Sequence, residues 1–123
     1  TKDKDINCII ENAIGSKFND QIIGNNAKNS LNGGFGDDIL LGGLGNDKLI
    51  GGEGKDIFKL STGKGFDLIQ DFKNKEDKIF IGSIKKLKLK NKGKDTYIYK
   101  SKDLLAKVKG AKGLLSKEGK FIV

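Results

Sequence analysis

Oxygen-bearing side chains recur at a fixed interval along the first half of this chain. Asp38, Asp47 and Asp56 stand nine residues apart, and the same interval carried upstream lands on Asn29, Asp20 and Glu11. Carboxylate and amide oxygens are hard ligands. About six to eight of them in a flexible arrangement suit Ca²⁺ better than Mg²⁺. Other chemistries are excluded by what is missing. The 123 residues include no histidine, which removes the common zinc sites and the histidine-based nucleophilic triads from within this chain. The single cysteine, Cys8, has no partner for an intramolecular disulfide and reads as a small apolar residue of an N-terminal strand. No GxxxxGK[ST] loop is present, and columns of carboxylates would repel a phosphate.

The elements that must position these oxygens are equally periodic. Gly33-Gly-Phe-Gly-Asp-Asp38-Ile-Leu-Leu41, Gly42-Gly-Leu-Gly-Asn-Asp47-Lys-Leu-Ile50 and Gly51-Gly-Glu-Gly-Lys-Asp56-Ile-Phe-Lys59 follow one another without interruption. Glycine fills places 1, 2 and 4, aspartate fills place 6, and an apolar residue fills place 8. Upstream the register survives in decayed form. Gly24–Asn32 keeps Asn29 and Leu31, Gly15–Ile23 keeps Asp20 and Ile22, and one unit earlier stand Glu11 and Ala13. The chain holds 18 glycines and no proline, so glycine is used for one backbone purpose rather than in a collagen-like or proline-rich linker.

Six glycine-rich residues make a turn and three residues make a very short strand, of which only the eighth place need face inward. With two units per coil, residues 18 apart stack. One sheet then piles Ala13, Leu31 and Leu49, and the facing sheet piles Ile22, Leu40 and Phe58. One core side chain per unit explains how 36% apolar residues can suffice. The same stacking places Asp20, Asp38 and Asp56 in one column and Glu11, Asn29 and Asp47 in the other. At the strand spacing of about 4.8 Å, like charges repel by roughly 1–4 kcal/mol per pair, which a divalent cation between coils would reverse.

From about Ile9 to Ile81 the sequence resembles the RTX (hemolysin-type) calcium-binding family, most closely the C-terminal β-roll of serralysin-type secreted proteins. The three intact units, the lead-in Ile10–Ser16 and the exit Asp67-Leu-Ile-Gln-Asp-Phe72 with Asp77-Lys-Ile79 carry the resemblance. It implies an all-β fold, a parallel β-roll (a β-helix-like solenoid) with a C-terminal β-rich cap. Side-chain ligands would be Glu11, Asp20, Asn29, Asp38, Asp47, Asp56 and Asp67. The glycine turns around Gly33, Gly42 and Gly51 would contribute carbonyls, mainly of Gly34, Gly36, Gly43, Gly45, Gly52 and Gly54. Ser16, Phe18, Asn25 and Ala27 take those places in the decayed units. The stacked pairs 11/29, 20/38, 29/47, 38/56 and 47/67 would hold about four to five Ca²⁺ ions. Asp37, Asp71 and Asp77 read as solvated turn or cap residues.

Residues 1–82 read as the roll with its lead-in and exit, and 83–123 as a lysine-rich cap. Residues 1–80 hold 11 Lys against 13 acidic residues, whereas 81–123 hold 13 Lys against 3, and there is no arginine. That absence argues against specific nucleic-acid binding. Lys85–Lys90 alternates as a strand, Asn91–Asp95 reads as a turn, and Thr96–Lys100 as a strand. Asp103–Lys109 reads as a strand with a helix as competitor, and the chain ends Phe121-Ile-Val123. These strands would cover the last open coil. No apolar run reaches the roughly 18 residues of a membrane-spanning helix. The start, without a signal segment or initiator Met, suggests a fragment or the C-terminal part of a longer protein. The resemblance further implies a type I (ABC) secretion partner and an extracellular location. Lys120 stands where that family's short apolar ending usually has an acidic residue. The reading is therefore a non-catalytic, monomeric, calcium-folded module. Its alternatives are the tail of a secreted hydrolase such as a serralysin-like metalloprotease and an adhesin binding anionic polysaccharide.

Overall fold

The computed structural model describes residues 12–62, 65–81 and 85–123, and these form strands and turns with no helix. Eight three-residue strands come first: β1 (Asn12–Ile14), β2 (Gln21–Ile23), β3 (Ser30–Asn32), β4 (Ile39–Leu41), β5 (Lys48–Ile50), β6 (Ile57–Lys59), β7 (Asp67–Ile69) and β8 (Lys78–Phe80). Odd-numbered strands stack in parallel in one sheet and even-numbered strands in the other. The chain thus winds as a parallel β-roll of about four coils, two strands per coil.

The register matches the 18-residue stacking. Ala13 lies beside Leu31 and Leu31 beside Leu49, while Ile22 lies beside Leu40 and Leu40 beside Phe58. The middle residue of β1 to β6 and β8 is buried. That is what a three-residue strand with one inward face requires. Each fully buried Leu, Ile or Phe contributes about 1.5–3 kcal/mol. In the last coil the spacing lengthens, since Leu49 pairs with Ile69 and Phe58 with Ile79. The extra residues fall in the connecting turns and leave the two core files intact.

The C-terminal third continues both sheets. Strands β9 (Leu87–Lys92), β10 (Asp95–Lys100) and β11 (Asp103–Val108) form an antiparallel meander, and β11 then lies parallel to β7 with Val108 beside Ile69. A short hairpin of β12 (Lys117–Glu118) and β13 (Phe121–Ile122) adds to the other sheet, with Ile122 against Ile79. Both edges left open by the last coil are therefore paired. The new outer edge, β9, presents exposed Lys88, Lys90 and Lys92, a feature that discourages edge-to-edge pairing. The turn expected over Asn91–Asp95 narrows to Gly93-Lys94, because Lys92 and Asp95 already pair and Gly93 supplies a φ of 62°. Asp103–Lys109 resolves to the strand reading, since β11 is hydrogen-bonded on both sides.

Candidate metal centre

Each intact unit bends through glycines at places 2 and 4 that have positive φ, from 84° at Gly52 to 111° at Gly54. The glycine at place 1 is required for a different reason. A Cβ on Gly33, Gly42 or Gly51 would lie 2.5, 2.4 or 2.4 Å from Oδ2 of the aspartate at place 6 of its own unit. Each turn is thus a cup of bare backbone closed around one carboxylate.

Those carboxylates stack as the spacing demands. The Asp20 N–H donates to Asp38 Oδ1 at 2.7 Å, Asp38 N–H to Asp56 Oδ1 at 2.9 Å, and Asp56 N–H to Asp77 Oδ1 at 2.9 Å. On the opposite side Asn29 N–H donates to Asp47 Oδ1 at 2.7 Å, and Asp67 continues that column beside Asp47, since Lys48 lies beside Leu68 in the sheet. All seven side chains are buried. Glu11 lies outside the described residues.

One oxygen of each pair is provided for and the other is not. Oδ2 of Asp38, Asp47 and Asp56 is buried with no hydrogen-bond partner. A buried carboxylate left half-solvated is costly. The cost shows in the acidities. Burial, only partly offset by the Asp20 N–H and reinforced by the Asp20 and Asp37 charges, raises Asp38 to about 6. Burial likewise raises Asp56 to about 7, against the Asp38 N–H and with Asp77, Asp38 and Asp71 adding to it. Burial is also the first cause that moves Asp47, Asp67 and Asp77 upward. Among the described residues no three acidic side chains converge on one point, so a cation here would need backbone carbonyls as well. Carbonyls of the glycine turns would have to complete the set, and such an all-oxygen donor set fits a hard divalent ion.

The decayed turns are built otherwise. Ser16, Phe18, Asn25 and Ala27 occupy glycine places 2 and 4, and none has a positive φ. In the first, Ser16 N–H and Oγ–H both donate to the Asp20 carboxylate, and Phe18 N–H donates to Ser16 Oγ. In the second, Asn25 N–H donates to Asn29 Oδ1 at 2.9 Å, and Ala27 N–H to Asn25 Oδ1 at 2.8 Å. Here the side chain at place 6 is satisfied from within its own turn.

The model of the RTX calcium-binding nonapeptide repeat matches the chain in four copies, over residues 10–40, 23–58 and 32–69 among them. The roll is an array of RTX calcium-binding repeats. Among solved structures, the extracellular lipase LipA from Serratia marcescens aligns at 25% identity with a TM-score of 0.49, over 87% of this chain and 14% of that one. The chain thus spans about one seventh of that lipase's length. No curated protein sequence matches it.

The RTX roll also contains residues that sequence reasoning misplaced. Asp77, expected as a solvated turn or cap residue, is not solvated: it is buried and closes the Asp20–Asp38–Asp56 column. The irregular spacing after Asp56 hides this, and the repeated Asp-x-apolar pattern of Asp77-Lys-Ile79 was the signal for it. Asp71 does act as a cap, accepting the N–H groups of Gly51 and Gly52. Lys73 reaches back with Nζ to Gly52 O at 2.8 Å and lies 3.5 Å from Glu53. A second ladder runs outside the first, in which Asn19 Oδ1 accepts Asp37 N–H and Asp37 Oδ1 accepts Lys55 N–H. Its 18-residue interval at place 5 was legible but carried no chemical label.

Proposed function

We propose that this chain is a non-catalytic module that folds on binding calcium outside the cell. The observation that supports it most is the unpartnered buried oxygen in each of three consecutive glycine turns. Asp38, Asp47, Asp56 and Asp67 would supply carboxylates, and the turns around Gly34, Gly36, Gly43, Gly45 and Gly54 carbonyls, Gly52 O being taken by Lys73 Nζ. Bound calcium supplies positive charge between stacked carboxylates of one column, which otherwise repel. The chain's own part is to hold those oxygens apart from water and to keep glycine at every place where a side chain would block them. Without the ion, desolvated carboxylates and the backbone entropy of glycine oppose order. Binding free energy then becomes folding free energy. Such a chain would leave a calcium-poor cell unfolded through type I secretion machinery and order itself at extracellular calcium, as a monomer, beside whatever catalytic or adhesive domain it accompanies.

The test is far-UV circular dichroism during a calcium titration, with magnesium as control. A cooperative gain of β signal between sub-millimolar and millimolar calcium, unmatched by magnesium, is expected. A chain already folded in chelator and unmoved by calcium would sink the proposal.

A second reading concerns the cap, as an adhesive face for anionic polysaccharide. Tyr97 lies between Lys90 and Lys107 in the sheet, with Lys92 and Lys107 Nζ 5.0 and 5.7 Å from its ring centre. A groove alongside is lined by Lys88, Lys90, Tyr99 and Lys117. Retention on a polyanionic matrix that vanishes with moderate salt favours this reading, and no retention at low salt removes it.

A further inference from the structure

The six fully described turns divide into two kinds, and the division follows position along the roll. The three central turns, ending at Asp38, Asp47 and Asp56, each leave one buried carboxylate oxygen without a partner. The turns toward either end do not. At the N-terminal side Asp20 is satisfied by Ser16 N–H and Oγ, and Asn29 Oδ1 by Asn25 N–H. At the C-terminal side Asp77 Oδ2 accepts Lys73 N–H at 2.8 Å, the same four-residue closure. There the chain also brings in its own cation. Lys73 Nζ sits on Gly52 O and beside Glu53, where a further coil would have supplied its next N–H. In the coils before it, Ser16 O accepts Phe35 N–H and Gly34 O accepts Glu53 N–H.

We infer that cation binding is confined to the three central turns, and that the end turns are built-in caps in which Ser16, Asn25 and Lys73 do the work an ion does in the middle. The inference rests on the calcium reading above and narrows it. The departures from the repeat at Ser16, Phe18, Asn25 and Ala27 are then functional replacements. A side chain at place 2 closes the turn locally, so the backbone keeps negative φ and the cup never opens toward an ion. A solenoid needs terminal repeats unlike its interior ones, because the outermost coil has a neighbour on one side only. Caps that close without metal give the central coils a template on which to order.

The experiment is an ion count on the full chain. Calcium chloride is titrated calorimetrically against a competing chelator, and bound calcium is measured after equilibrium dialysis. Three ions per chain are expected, one for each unpartnered oxygen. The double substitution Ser16→Gly with Phe18→Gly restores the glycine pattern of the Asp20 turn and should add one ion. Lys73→Met should leave the count unchanged while raising the calcium concentration at the folding midpoint severalfold. A wild-type count above three overturns the inference, as does a folded double variant that gains no ion. The wild-type count decides even if the double variant does not fold. Absence of any bound calcium would instead sink the calcium reading itself, so the two failures are distinguishable.

Discussion

Asp38→Asn should move the metal-free and the calcium-loaded protein in opposite directions. Asp38 is fully buried. Its Oδ1 accepts the Asp20 N–H at 2.7 Å while its Oδ2 has no partner. Asparagine keeps an acceptor for that N–H, and Asn29 already shows that an amide fits place 6 of such a turn. What the substitution removes is a buried charge. Burial raises Asp38 from 3.8 to about 6, a rise equivalent to about 3 kcal/mol at neutral pH. Solvent screening of a turn at the edge of the roll reduces the expected gain to about 1–2 kcal/mol for the metal-free fold. In calcium the same change deletes a charged oxygen, and loss of about 1.4–2.8 kcal/mol of binding corresponds to a ten- to hundredfold higher calcium midpoint. Both arms can be read by circular dichroism. In chelator, the fold is induced with trimethylamine N-oxide, and the variant should need less of it. In the absence of that osmolyte, the variant should need more calcium. A variant that is less foldable in chelator, or that keeps the wild-type calcium midpoint, would refute the reasoning.

Three further outcomes follow from the same geometry. In chelator, β signal should be greatest near pH 4 and fall as pH rises through 6 to 7. Asp38 and Asp56 titrate at about 6 and about 7 when folded and at 3.8 when unfolded, so their contribution is present below the unfolded value and lost above the folded ones. In calcium the pH dependence should reverse, and a circular dichroism pH series under both conditions checks the sign. Gly52→Ala should abolish calcium-induced folding, because its Cβ would lie 2.1 Å from Gly34 O at a φ of 84°. Gly93→Ala, with no neighbour within 4 Å, should cost only about 1–2 kcal/mol, measurable by thermal unfolding in calcium. Leu40→Ala removes a fully buried side chain stacked between Ile22 and Phe58 and should cost about 3–4 kcal/mol, read as a shift of the urea midpoint in saturating calcium.

The period of nine residues by itself determined the coil, the two core files and the two columns. A three-residue strand has room for one inward side chain, and residues 18 apart have no other way to stack. Ala13, Leu31 and Leu49 against Ile22, Leu40 and Phe58 were legible for that reason, as was the alignment of Asp20, Asp38 and Asp56. The tertiary structure decided what the period could not encode. Asp77 enters its column only after a longer connecting turn, and Lys73 reaches Gly52 across 21 positions. Neither spacing is a multiple of nine, so no pattern along the chain announces the contact. The difference between Asp20 and Asp38 is of the same kind. Both are aspartates at place 6. Only the backbone conformation at place 2, a glycine at positive φ in one turn and a serine that folds back on the carboxylate in the other, leaves one oxygen free and closes the other.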